Sequence, residues 1–136
     1  MKLLSCFIPA MFFCIIAMSQ DANTPQRKPK VIIGVASFYS SNLDGTETST
    51  GERYRNLKMS AASNHFKLNT WVKITNLRNN KVIRLRINDH MHVRMAKKGR
   101  VVDLSRTAAK QLGFISRGLT RVKVEEILDP KDQRLL

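Results

Sequence analysis

V-I-R-L-R-I-N-D, residues Val82 to Asp89, followed at once by His90-Met91-His92, is the stretch from which the rest of the chain can be read. Ile83, Leu85 and Ile87 fall on one side of a period-two pattern, and Arg84, Arg86 and Asn88 fall on the other. This alternation predicts a half-buried strand. A rigid strand delivers Asp89 at its end, flanked by Asn88 and His90, where a loop beyond it can meet a ligand. An aspartate after a strand is commonly a turn former or cap, so the segment by itself does not establish catalysis.

Outward from this strand, W-V-K-I-T-N-L (Trp71 to Leu77) alternates in the same way, and Arg78-Asn79-Asn80-Lys81 joins the two as a hairpin turn. Upstream, Val31 to Tyr39 is apolar and β-branched enough for a strand, with Gly34 and Ala36 suggesting close packing. Ser40 to Gly51 is a loop rich in turn formers with Asp44-Gly45 as its tightest corner, and Glu52 stands at its end. Met59 to Ala62 reads as a short strand continuing through Ser63, Asn64 and His65. Downstream, Lys97-Lys98-Gly99-Arg100 reads as an exposed loop and Val101-Val102 as another short strand. Leu104, Ala108, Gln111 and Leu112 then share a helical face, with Ser105 or Asp103 as N-cap and Gly113 as the stop. Arg121 to Ile127 alternates again. Many short strands with one short helix predict a compact β-barrel rather than an alternating α/β sheet.

The 136 residues leave room for one domain. Residues 1–19 have the layout of a secretory signal: Met1-Lys2, an apolar run from Leu3 to Ala17, and small residues spaced Ala17-x-Ser19. The run is short beside the roughly 20 apolar residues of a membrane span. Cys6 and Cys14 both fall inside it, so the expected mature chain has no disulfide and no thiolate metal site. Neither cysteine sits in a convincing lipoprotein processing box, so no stable membrane anchor is expected. Residues 20–30, with Pro25 and Pro29, read as a flexible linker; the barrel domain is expected over 31–128 and a charged tail over 129–136. The formal charge of +14 attracts polyanions. For an exported chain in the periplasm or cell envelope, wall polymers are expected ahead of nucleic acid, and the protein is expected to be a monomer.

Taken in order, G-V-A-S-F-Y (Gly34 to Tyr39), T-S-T-G-E-R-Y (Thr48 to Tyr54), S-A-A-S (Ser60 to Ser63), V-K-I-T-N-L (Val72 to Leu77), R-I-N-D (Arg86 to Asp89) and G-R-V-V-D-L-S-R-T-A-A-K-Q-L-G (Gly99 to Gly113) resemble the rare lipoprotein A family, RlpA. The resemblance implies a six-stranded double-psi β-barrel, the fold also used by expansins. It further implies a lytic transglycosylase that cleaves the MurNAc–GlcNAc bond of peptidoglycan glycan strands with 1,6-anhydro product formation and no cofactor. The family's catalytic Glu and Asp carry over to Glu52 and Asp89. Its His does not, because Ser63 stands there.

If the segment stays extended, His65 lies two residues on and shares the face of Ser63. Asp89 is then the expected acid and base, with Glu52 stabilising positive charge at the anomeric carbon or raising the Asp89 pKa by repulsion. Arg84 and Arg86 oppose that assignment, since nearby cations lower a carboxyl already near about 3.9. Tyr39, Tyr54, Asn88 and His90 are the expected substrate contacts, the tyrosines as platforms for sugar rings. A second reading is an expansin-like barrel that binds glycan without cutting it, catalysis being lost at Ser63. A third, minor one places a metal on His90, His92 and His65.

Overall fold

The structure is a computed structural model that describes residues 27–132. The expected secretory signal, most of the linker and the end of the tail lie outside the described residues. Strands β1 (Val31–Phe38), β2 (Ala61–Ala62), β3 (Trp71–Asn76), β4 (Val82–Asp89), β5 (Arg100–Leu104) and β6 (Thr120–Ile127) close in the order β1-β5-β2-β4-β3-β6. The β1–β5 and β2–β4 pairs are parallel and the other four are antiparallel. This is the six-stranded double-psi β-barrel that the family resemblance implied.

The alternating strands supply the barrel interior. Ile83, Leu85 and Ile87 of β4, Val72 and Ile74 of β3, and Val122 and Val124 of β6 are all buried, while Arg84 and Lys81 face solvent. Fully burying one such side chain stabilises the fold by about 1.5–3 kcal/mol. Gly34 is required by β5: a Cβ there would stand 2.3 Å from Val101 Cγ1.

The β3–β4 turn is anchored through Asn76, which is fully buried. Its Nδ2 donates to the Leu112 carbonyl at 2.8 Å, and its Oδ1 accepts from Thr120 Oγ1 at 2.9 Å and from Arg78 N–H at 3.0 Å. Asn80 takes the left-handed conformation (φ 61°) that closes the turn. Asn76→Ala removes three bonds and strands the buried Thr120 hydroxyl, while the Leu112 carbonyl keeps Asn79 Nδ2 at 3.0 Å. It should lower stability by roughly 3 kcal/mol, read as a fall in the urea midpoint with an unchanged slope.

Among the described residues there are two α-helices rather than the one expected. Helix α2 (Arg106–Leu112) begins at Ser105, whose Oγ accepts from Ala108 N–H at 3.3 Å, and ends at Gly113 in the left-handed conformation (φ 77°). Ala108, Ala109 and Leu112 are its buried residues; Gln111, expected on that face, is exposed. Helix α1 (Val93–Lys97) occupies what reads as a basic loop, with His92 as its cap: Nδ1 accepts from Arg94 N–H at 3.2 Å. Arg100 belongs to β5 and is half-buried rather than part of an exposed loop. β2 stops at Ala62, so the extended run expected through His65 ends three residues early. At the other end of the chain, Glu126 holds the last linker residues, accepting from Arg27 at 2.6 Å and from Lys30 N–H at 3.2 Å.

Candidate active site

The T-S-T-G-E-R-Y segment forms a small hairpin laid across the end of β4. Thr48 N–H donates to the Glu52 carbonyl at 2.7 Å, Tyr54 N–H to Thr46 at 2.7 Å, and Gly45 N–H to Tyr54 at 2.7 Å. Gly51, at φ 83°, makes the turn that an L side chain would strain. Thr50 N–H donates to the Asn88 carbonyl at 3.3 Å and docks the hairpin on β4.

The hairpin tip meets Asp89. Asp89 Oδ1 accepts from Ser49 N–H (2.9 Å), Ser49 Oγ (2.7 Å) and His90 N–H (2.9 Å), and Oδ2 accepts from Tyr39 Oη (2.6 Å). Burial alone would raise this carboxyl. The donors of Tyr39, Ser49 and His90 outweigh it, and the group is held below the usual carboxylate range. Asp89 is therefore an ionised group, poorly suited to be the acid expected from the sequence.

Glu52 is not placed to raise Asp89. Its Oε2 accepts from Arg86 at 2.6 Å and its Oε1 from Thr50 Oγ1 at 2.8 Å. These two bonds, Arg86 first, draw its pKa down to about 2. The groups that act most on Asp89 are the Tyr39, Ser49 and His90 donors, and Glu52 is not one of them. Repulsion between the two carboxylates is thus replaced by an ion pair between Glu52 and Arg86, with Arg86 also donating to Asn69 Oδ1 at 2.7 Å.

Sequence reasoning passed over Asp103. In the register of β2, Ala62 pairs with Asp89 on one side and with Asp103 on the other, so the two carboxyls flank one short strand. Two strand spacings separate their backbones by about 10 Å. Burial pushes the Asp103 carboxyl up to about 6, with Asp89 adding to the rise and the Ser37 Oγ bond (2.9 Å) and Arg100 opposing it. The signal available in the sequence was D-L-S before a helix, which reads equally well as a cap. Ser105 takes the cap and leaves Asp103 to the site.

The remaining expected residues divide. Ser63 is fully buried; its Oγ donates to the Val101 carbonyl at 2.8 Å and accepts from His65 N–H at 3.2 Å. His65 is exposed on a bend beyond β2 and does not share the face of Ser63. Tyr39 (8% exposed) and Tyr54 (1%) pack on each other with ring centroids 4.2 Å apart, over Ala62 and Met91. Their rings are core, not sugar platforms. Burial raises both hydroxyls, so each remains a donor, Tyr39 to Asp89 and Tyr54 to Asn56 Oδ1. Asn88 is buried beside Glu52, and His90 is exposed with its backbone N–H on Asp89. His92 is committed to its helix cap, and among the described residues no three His, Cys, Asp or Glu side chains are grouped to hold a metal ion.

Comparison with known proteins places this arrangement. The model of the lytic transglycolase family matches residues 31–124, the whole barrel but the end of β6. The chain belongs to that family. Among lytic transglycolase relatives, the endolytic peptidoglycan transglycosylase RlpA of Pasteurella multocida is 42% identical over 94 residues, 69% of this chain and 31% of that protein. The protein of the same name from Pseudomonas aeruginosa is 41% identical over 99 residues, 73% of this chain and 28% of its own length. The chain thus spans less than a third of these relatives. Among solved structures, an expansin of Clavibacter michiganensis superposes with a TM-score of 0.57 at 20% identity, covering 74% of this chain and 52% of the expansin. The fold is shared; a related expansin structure was determined with cellohexaose.

Proposed function

We propose that this lytic transglycolase cuts peptidoglycan glycan strands at the MurNAc–GlcNAc bond and leaves a 1,6-anhydro end. The observation that carries the reading is the pair Asp89 and Asp103, two carboxyls on either side of Ala62, one held ionised and the other held near neutrality. Sites that separate two carboxyls in this way assign one as acid and base and the other as a fixed negative charge. The names of the RlpA relatives support the substrate.

The step uses no water. Protonated Asp103 gives its proton to the bridging oxygen as the bond from MurNAc C1 breaks. The C6 hydroxyl of the same sugar attacks C1, and the Asp103 carboxylate takes the hydroxyl proton. Asp89, fixed by four donors, stabilises positive charge developing at C1 without reorganising. Glu52 and Arg86, paired, shape the neighbouring wall. Asn88 and His90 flank this centre as the candidate glycan contacts.

The protein acts on the wall after export, with glycan strands as its partner. Its charge of +14 holds it to an anionic envelope, and association should weaken steeply between low and physiological salt in a pelleting assay. Salt-insensitive association would remove charge from the account. The buried Ser63 favours the second reading, a barrel that binds glycan without cutting. Mass spectrometry of intact and peptide-stripped peptidoglycan after incubation separates the two. New anhydro-muramyl ends establish the enzyme, whereas pelleting with the glycan and no new ends establishes the binding module.

A further inference from the structure

Two connections meet at the end of the barrel where β4 begins. Residues 77–81 join β3 to β4, and residues 113–119 join α2 to β6. They are knit together: Leu77 N–H donates to the Arg121 carbonyl at 3.0 Å, and Asn79 Nδ2 donates to the Leu112 carbonyl at 3.0 Å. Lys81 Nζ lies over the same seam, 3.4 Å from where a Cβ on Gly113 would stand. Neither 77–82 nor 113–123 contains an Asp or a Glu. Arg78, Lys81, Arg117 and Arg121 are all exposed, and among the described residues none of them has a carboxylate within ion-pair distance. The same two segments carry three exposed aliphatic side chains, Leu77 (41%), Val82 (39%) and Leu119 (42%). Leu119 and Arg121 face outward on either side of the buried Thr120, and Leu77 is bonded to Arg121, so cationic and apolar groups share one surface.

We propose that this end of the barrel docks reversibly on an anionic lipid surface. The inference does not depend on the glycan reading above. Four cations without acidic neighbours complement the phosphates of anionic headgroups, each contributing through the surface potential of the bilayer. The aliphatic side chains decide between lipid and a dissolved or wall-bound polyanion. Leu77, Val82 and Leu119 gain nothing from a charged polymer, whereas at a bilayer they enter the boundary between headgroups and acyl chains while the arginines reach back to the phosphates. Such a contact is an adhesion of moderate strength, not an anchor. The eight residues of β4 separate Val82 from Asp89 by about 23 Å along the strand. That is more than two Debye lengths of about 8 Å at physiological salt, so the ionised Asp89 does not repel the membrane. Docked in this way, the barrel holds Asp89 on its far side, open to the space beyond the lipid.

The test sediments the expected mature chain, from residue 20, with vesicles of phosphatidylcholine alone and of phosphatidylcholine mixed with phosphatidylglycerol. Binding should require the anionic lipid and weaken as salt rises. Arg78→Gln, Arg117→Gln and Arg121→Gln together should lower the affinity about fivefold per cation, roughly a hundredfold in all. Removing the same charge from α1, by Arg94→Gln, Lys97→Gln and Lys98→Gln, should lower it by less than about threefold, because that helix lies off the docking face. Leu77→Gln with Leu119→Gln should cost about tenfold at constant charge. Equal losses from the two triple variants would mean that net charge acts without a preferred face, and the assignment falls. No binding to either vesicle, or equal binding to both, also overturns it. Leucine variants that bind as wild type, with the arginine variant losing purified peptidoglycan as severely as it loses vesicles, make the face a polyanion surface and remove lipid from the account.

Discussion

Asp103→Asn should lower the rate of anhydro-end formation by roughly 10²–10⁴-fold, and the same substitution should make the barrel more stable at pH 8. The first effect follows from removing the one carboxyl of the Asp89–Asp103 pair that is held near neutrality, at about 6. The second follows from linkage. The folded pKa is raised from 3.8 to about 6, so between those values the native state keeps a proton that the unfolded chain has released. Wild-type stability is therefore full below about 3.8 and declines as pH rises through about 6. A shift of that size corresponds to about 3 kcal/mol once Asp103 is ionised. Asparagine carries no charge to bury. The variant should match wild type near pH 4 and exceed it at pH 8, in urea melts at the two values. The activity of wild type should fall about tenfold per pH unit above 6, since only the protonated acid reacts, while Asp89 stays ionised well into the acid range. Equal destabilisation at both pH values would show Asp103 to be a packing residue.

Why this residue escaped a sequence reading is a matter of which interactions are local. The β3–β4 hairpin was legible because alternation and turn chemistry act within a few residues, and the stop at Gly113 because only its left-handed conformation was needed. The family motifs carried the barrel topology, which alternation alone does not specify. Charges behave differently. Glu52 meets Arg86 across 34 positions and Asp103 meets Asp89 only through the register of β2, so neither the depressed nor the raised carboxyl leaves a local signature. Position 103 read locally as a candidate cap, a role that Ser105 takes instead. Likewise α1 has no buried residue and is closed by the His92 cap, so the apolar period that marks a helix is missing. His65 was displaced by the bend after Ser63, which is the last residue held to β4, its N–H on the Asp89 carbonyl at 3.0 Å.

Tyr54→Ala separates the two meanings of an aromatic residue in a catalytic motif. A sugar platform presents its ring to solvent, and its loss weakens glycan binding while the fold survives. Tyr54 is 1% exposed, and its ring lies against Tyr39 at 4.2 Å and an interplanar angle of 60°. Its hydroxyl donates to Asn56 Oδ1 at 3.0 Å and accepts from Arg106 N–H at 3.3 Å, joining the hairpin to the start of α2. Truncation removes the ring, both bonds and the support under Tyr39, which in turn holds Asp89. A buried aromatic replaced by alanine costs about 3–5 kcal/mol, which for a domain of this size is roughly a 15–20 °C fall in Tm. Tyr54→Phe should recover most of it, because the packing returns and only the hydroxyl bonds are missing. If Tm holds and glycan affinity alone drops, the ring touches sugar, and the floor beneath Asp89 must be built by other side chains.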